Sequence, residues 1–246
     1  AVLLLVAGML RYNVRGFSNH FYRRGQDSAD LLLYEQSSHN TVAFNSMTHG
    51  GDGLFLWAGQ ATMDTGAGGS NDNLFYANDF SYAPTNAMEA TFSRNTFIGN
   101  RASGSDNGLW GGYSYDSKVI GNDFTGNRTG ITIEHGQSNE ILANRFLDDT
   151  VAIRLWAVPE EPGDWGYPKH RDTHSRDYRI ANNVFAGNRV GVRVAQTSRS
   201  SVTDNAFVRV DSAIVVTDTS RLVTAGNDTT RSHLHLASGQ WPPAAP

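Results

Sequence analysis

Residues 130–136 read GITIEHG, and this short pattern returns along the chain. It recurs as DLLLYEQ (30–36), GLFLWAG (53–59), AMEATFS (87–93), GLWGGYS (108–114), AIRLWAV (152–158), GVRVAQT (191–197) and AIVVTDT (213–219). In a strand, successive side chains point to opposite faces. Ile131 and Ile133 therefore face inward, Thr132 and Glu134 face outward, and His135 begins the next turn. The first inward residues of the eight segments are Leu31, Leu54, Met88, Leu109, Ile131, Ile153, Val192 and Ile214. Their spacings are 23, 34, 21, 22, 22, 39 and 22, a period of about 22 with two longer intervals. A fixed period of this length is the mark of a solenoid, in which each coil buries its face against its neighbours. Short runs with period-two alternation make it an all-β solenoid, predicted to be a right-handed, single-stranded parallel β-helix.

A second repeat runs in step: Asn78-Asp-Phe80, Asn95-Thr-Phe97, Asn122-Asp-Phe124, Asn144-Arg-Phe146, Asn183-Val-Phe185 and Asn205-Ala-Phe207, with Asn227-Asp-Thr229 lacking the ring. Stacked about 4.8 Å apart, the asparagines are expected to form an amide ladder at a turn. The phenylalanines are expected to stack inside the coil. Leucine-rich repeats would show helical backs, and these segments have none.

On these coils the sequence resembles the right-handed parallel β-helix proteins of the pectate-lyase-like superfamily, and most of all the NosD-type repeat group. The resemblance covers roughly residues 28–236. It implies the fold, and it admits lyases, glycosidases, epimerases and non-catalytic binding proteins. The paired aspartates, Gly-His-Gly and Arg-x-Lys of the pectinases are missing, as is the Asp cluster of calcium-dependent pectate lyases.

Composition agrees with many short strands and turns. The 246 residues include 25 Gly, 7 Pro and no Cys, with 39% hydrophobic residues and a net charge of −4. Without Cys there is no disulfide, thiolate nucleophile or Cys-type metal site. The charge offers no basic surface for nucleic acid. No apolar run approaches the ~20 residues of a membrane span. The opening AVLLLVAGML lacks the basic start and cleavage site of a signal peptide, and is expected to be a buried first strand of a chain trimmed at its N-terminus.

The chain is read as one domain, residues 1–246. Residues 1–27 form an irregular N-terminal cap and residues 28–229 the regular coils. Residues 230–246 close the other end, with Ser232–Leu236 as a last strand. Insertions are expected near 58–72, 101–107 and 157–177. Solenoid insertions gather in loops, often on the binding face. The last one (AVPEEPGDWGYPKHRDTHSRD) is rich in aromatic and charged residues.

Alternation also predicts the outer surface. Phe55, Trp57, Glu89, Trp110, Tyr113, Glu134, His135, Arg154 and Trp156 share one strip on the middle coils, while the last coils offer only Arg193, Ala195, Val215 and Thr217 there. A row of exposed aromatics marks a binding surface. Rings stack on the apolar faces of sugars, and carboxylates and Arg bond the hydroxyls or acidic groups. The strip thus points to a polysaccharide-active enzyme, extracellular or periplasmic and monomeric, needing no cofactor or metal.

The leading expectation is a glycoside hydrolase. Glu89 and Glu134 are the candidate carboxylates, Phe55, Trp57, Trp110, Tyr113, Trp156, Trp165 and Lys169 the substrate-binding residues. The register puts the two carboxylates two coils apart, too far for a retaining pair and at or beyond the long edge for an inverting one. Asp52, Asp64, Asp106, Asp164 and Asp172 are the alternative acids. A lyase or epimerase for uronic-acid polymers would instead use His135 as base and Arg154 as cation, helped by Lys169, His170 or Arg171. The third alternative is a non-catalytic β-helix that binds glycan or protein. His170 and His174 have i, i+4 spacing but lie in a Pro/Gly-containing loop, so a metal is not indicated.

Overall fold

The computed structural model describes residues 8–17, 28–217 and 220–231, with the side chains of 230 and 231 set aside. The Ser232–Leu236 strand, the tail and most of the N-terminal cap lie outside these residues. Every strand pairing among the described residues is parallel, and each coil visits three sheets in turn. Among the described residues the first sheet has eight strands, the second nine and the third six, with a two-stranded extension beneath the third. The only helices among them are Gln60–Thr65 (α1) and Tyr167–His170 (α2). The crossovers are right-handed, as twisted strands require, and the chain is a right-handed parallel β-helix.

The first sheet carries the strip. Its strands are Leu31–Tyr34, Asp52–Trp57, Asn86–Ala90, Asn107–Trp110, Thr129–Glu134, Val151–Trp156, Val190–Ala195 and Ser212–Thr217. Leu31, Leu54, Met88, Leu109, Ile131, Ile153, Val192 and Ile214 pair rung by rung, as the spacing predicts. The first seven are buried and Ile214 is partly so. A slip of one residue would turn this whole row outward, so burial pins the register.

The amide ladder exists, with one correction. The rungs are Asn45, Asn78, Asn100, Asn122, Asn144, Asn183, Asn205 and Asn227, joined Nδ2 to Oδ1 at 2.9–3.0 Å. Asn95 is not among them. It belongs to a column at another corner, Asn40–Asn73–Asn95, continued by Ser117 and Asn139. Phe97 accordingly stacks on Phe75 at 4.9 Å, in the second sheet. Phe124, Phe146, Phe185 and Phe207 form the expected stack beneath the third sheet, with centroids 4.6–5.1 Å apart. The ladder satisfies backbone and side-chain groups that burial would otherwise leave unpaired, at ~1 kcal/mol net per bond.

A third column contains an acid. Asn127 donates from its backbone N and its Nδ2 to Asp149 Oδ1, at 2.7 and 3.0 Å. Burial pushes the Asp149 carboxyl up to about 7 despite those donors, and the nearby Asp123 and Asp148 add to the rise. Its Oδ2 is buried without a hydrogen-bond partner, and so is Asn188 Oδ1, one coil on.

Insertions leave the first sheet after Trp57 and after Trp156, and the first is not a plain glycine loop. It folds as α1, closed by Gly66 in the left-handed region at φ 70. The second contains α2. The two helices meet, and Gly166 lies so close to α1 that a Cβ there would stand 2.3 Å from the Asp64 carbonyl oxygen. Residues 101–107, expected as a third insertion, are ordinary coil. Arg101–Ser103 pairs with Asp123–Thr125 in the third sheet, and Asn107 already begins the next first-sheet strand. At the N-terminus a strand does form over Met9–Arg11, with Leu10 against the core. Met9, however, is 60% exposed rather than buried, and residues 1–7 are outside the description.

Candidate functional site

The register sets the strip residues on neighbouring rungs. Phe55 pairs with Glu89, Glu89 with Trp110, Trp110 with Thr132, and Glu134 with Trp156. The strip is not an open face. The insertions lie over its edge and build a second small core outside the coil: Ala58, Phe92, Tyr113 and Tyr167, with Trp57, Met63 and Trp165 packed against them. Phe92 stacks on Tyr113 at 4.7 Å, and Tyr113 on His135 at 4.8 Å. All three have positive φ (52, 57 and 56), because this position ends the strand and turns the chain. Holding such residues there costs of order 1 kcal/mol each, which the ring stack offsets.

Between sheet and insertions lies a pocket of about 500 Å³, lined by Phe55, Trp57, Glu89, Thr91, Phe92, Trp110, Gly112, Tyr113, Glu134 and Trp165. That volume falls in the ~300–1,000 Å³ range of small-molecule sites. Seven of the residues singled out from the sequence line it: Phe55, Trp57, Glu89, Trp110, Tyr113, Glu134 and Trp165. Phe92 is a wall the sequence reasoning left out. Its place in the same outer row as Tyr113 was the available signal.

Both carboxylates are held. Glu89, expected to be exposed, is 5% exposed, and its Oε2 accepts from Asn86 Nδ2 at 2.6 Å. Glu134 is half-buried, and its Oε1 accepts from Trp156 Nε1 at 2.9 Å. Two coils and a two-residue offset along the strand put their backbone positions about 12 Å apart. Inverting pairs hold their carboxyl groups ~6.5–9.5 Å apart and retaining pairs closer. None of Asp52, Asp64, Asp106, Asp164 or Asp172 lines the pocket. Asp52 Oδ1 accepts the Asn86 backbone N–H inside the coil. Asp172 binds His174 and Arg176; its burial is outweighed by those partners, which hold its carboxyl far below the usual range.

His135 does not reach the pocket as a free base. It is 4% exposed, and both ring nitrogens meet the long insertion. Nδ1 donates to the Thr173 carbonyl at 2.8 Å and Nε2 accepts from the Val158 backbone N–H at 3.2 Å. Those bonds make Nδ1 the donor and Nε2 the acceptor. Glu161, not foreseen from the sequence, stands 3.5 Å from Nδ1 and accepts from Thr173 Oγ1 at 2.7 Å. Burial raises the Tyr113 hydroxyl's pKa strongly, followed by its bond to Glu161 and the charges of Glu161 and Glu134. Burial pushes Tyr167 up to about 12. These phenols stay protonated.

The remaining predicted residues lie outside the lining. Arg154 is exposed, its guanidinium 4.2 Å over the Trp156 ring. Trp156 supports the site instead, holding Glu134 and tilting against Trp110 at 5.8 Å. Lys169 is exposed at the end of α2, and Arg171 stacks over Tyr115 at 4.6 Å.

The fold and its insertion-covered strip define a β-helix protein with a ring-lined pocket on one side. The chain belongs to the family described as periplasmic copper-binding protein (NosD), whose pattern matches residues 23–161. Among solved structures it is similar to XylC in complex with xylose, at 14% identity and a TM-score of 0.57, covering 79% of this chain and 35% of that one. It is also similar to the catalytic unit of a GH87 alpha-1,3-glucanase from Streptomyces thermodiastaticus strain HF3-3, at 13% identity and a TM-score of 0.44, covering 82% and 46%. A third is the A-module of the mannuronan C-5 epimerase AlgE6 from Azotobacter vinelandii, at 12% identity and a TM-score of 0.41, covering 93% and 90%. The chain thus spans about a third of XylC. The likeness to XylC speaks for the fold. No curated protein matches in sequence.

Copper prefers imidazole and sulfur donors. Among the described residues no three His, Asp or Glu side chains gather into a set able to hold a metal ion, and the chain has no Cys. Met47 and Met88 are buried in the coil core, and His135 has both nitrogens engaged. The described residues do not fit a copper site. No helix among them is long and apolar enough to cross a membrane.

Proposed function

We propose that this chain is a periplasmic or extracellular glycan-binding β-helix whose ligand lies in the pocket on the middle coils. One observation carries the reading: six aromatic rings and two carboxylates converge on one cleft, on the only side that the insertions cover among the described residues. Trp57, Trp110 and Trp165 offer ring faces for the apolar faces of sugars. Glu134, oriented by Trp156, and Glu89, held by Asn86, offer acceptors for hydroxyls. The periplasmic description of the family supports the compartment. Turnover is the lesser expectation, because Glu89 is nearly buried on Asn86 and Glu134 is bonded to Trp156, with their backbone positions about 12 Å apart.

Titration against neutral β-glucan, xylan and chitin oligosaccharides, followed by tryptophan fluorescence, tests the reading. Saturable binding of at least one, lost in Trp110→Ala, is the expected result. No binding by these or by charged oligosaccharides would overturn it. Release of reducing ends, abolished by Glu134→Gln and by Glu89→Gln, would replace it with a glycoside hydrolase.

A further inference from the structure

The pocket's charge is one-sided. Its lining holds two carboxyl side chains and six aromatic rings, and no Lys, Arg or His. The cations near it are turned to other partners. Arg154 stacks on Trp156, Arg171 on Tyr115, and both ring nitrogens of His135 are bonded to backbone groups. A ring face carries negative quadrupole potential and attracts a cation, most strongly when the cation is shed of water. Glu134 adds a carboxylate at the wall, and the low dielectric of a ring-lined cleft strengthens it. An anionic sugar would meet two carboxyl groups and six ring faces, with no counter-charge. That is selection by repulsion as well as by attraction.

We infer that the pocket selects a glycan residue bearing a protonated amine, an amino sugar from which the acyl group has been removed, with its ammonium set among the Trp57, Trp110 and Trp165 rings and facing Glu134. The inference rests on the glycan-binding reading and adds the substrate class. It also separates this pocket from one built for uronic acids, which needs a cation where this one has an acid.

Three hexasaccharides with the same β-1,4 backbone test it: one with a hydroxyl at carbon 2, one with an acetamido group and one with a free amine. Oligogalacturonate is the anionic control. Calorimetric titration at pH 5.5 keeps the amine charged. The amine form is expected to bind at least tenfold more tightly than the acetamido and hydroxyl forms, with no detectable binding of the uronate. Glu134→Gln, which keeps an acceptor for Trp156 Nε1, is expected to cut that ratio at least fivefold. Equal affinity for all three neutral-backbone forms, tighter binding of the uronate, or an unchanged ratio in Glu134→Gln would overturn the amino-sugar selection and leave glycan binding standing. Absence of binding by every oligosaccharide would overturn the glycan reading itself.

Discussion

The middle and last coils of the first sheet share one backbone and differ in what they carry. From Asp52 to Trp156 the outward positions hold Phe55, Trp57, Glu89, Trp110 and Glu134, and the insertions close over them. In Val190–Ala195 and Ser212–Thr217 the same positions hold Arg193, Ala195, Val215 and Thr217, with nothing built above them among the described residues. The core does not distinguish the two halves. Phe146, Phe185 and Phe207 stack in one line through both. The fold is thus a common scaffold, and the middle coils differ from the last in the rings they carry and the insertions they receive.

The largest expected effect tests the shared core. Phe146→Ala in the middle coils and Phe207→Ala in the last coils each remove a buried ring, at a cost of about 3–5 kcal/mol. Both should unfold in a single transition in urea, by circular dichroism. A separate early transition in Phe207→Ala would break the comparison, making the bare coils an independent unit.

The second test lies where the two regions meet. Asp149 belongs to the coil of Val151–Trp156, and Asn188 to the first bare coil. Their unpartnered oxygens, Asp149 Oδ2 and Asn188 Oδ1, interrupt the polar column between them. A folded-state pKa of about 7 against 3.8 unfolded means that the protonated acid is the stabilised form. Its contribution is complete below pH ~4 and is lost as pH rises through ~7, a swing of about 4 kcal/mol. Asp149→Asn supplies a donor at every pH. It should raise the melting temperature at pH 8, leave it little changed at pH 4 and flatten the pH profile between. An unchanged profile would show that the carboxyl is ionised in the fold.

The third prediction concerns the rings. Trp110→Ala should weaken ligand binding by about 2 kcal/mol, roughly thirtyfold. Val215→Ala, in the same outer row on the last coils, should leave it unchanged. Equal losses would place the ligand along the whole sheet rather than in the covered half.

The register was legible because burial of one face is encoded every second residue, and a 22-residue period aligned eight segments without ambiguity. The Asn ladder was legible as a device but not as a column. Asn95-Thr-Phe97 and Asn122-Asp-Phe124 spell alike, yet one occupies the corner before the second sheet and the other that before the third. Asn100, followed by Arg101 and Ala102, carries the ladder without its Phe. The pocket's floor followed from alternation, while its roof did not. The contact between α1 and α2 joins segments about a hundred residues apart, and no periodicity predicts it. For the same reason Glu89 and His135 were placed on the correct row but with the wrong exposure. Glu161 had no signal beyond lying in an acidic, aromatic insertion.

The smallest expected effect concerns Arg154, the cation that a lyase or epimerase would need. Its guanidinium lies over the Trp156 ring, and neither residue lines the pocket. An exposed cation–π contact is worth about 0.5–1 kcal/mol, and Trp156 keeps its bond to Glu134 without it. Arg154→Ala should therefore change ligand affinity less than about fivefold, measured by the same titration as Trp110→Ala. Arg193, which pairs with Arg154 one coil on, supplies the internal comparison. If Arg154→Ala abolishes binding of an oligouronate while Arg193→Ala does not, the boundary of the site moves one row outward. The covered middle coils would then serve an acidic sugar rather than an amino sugar.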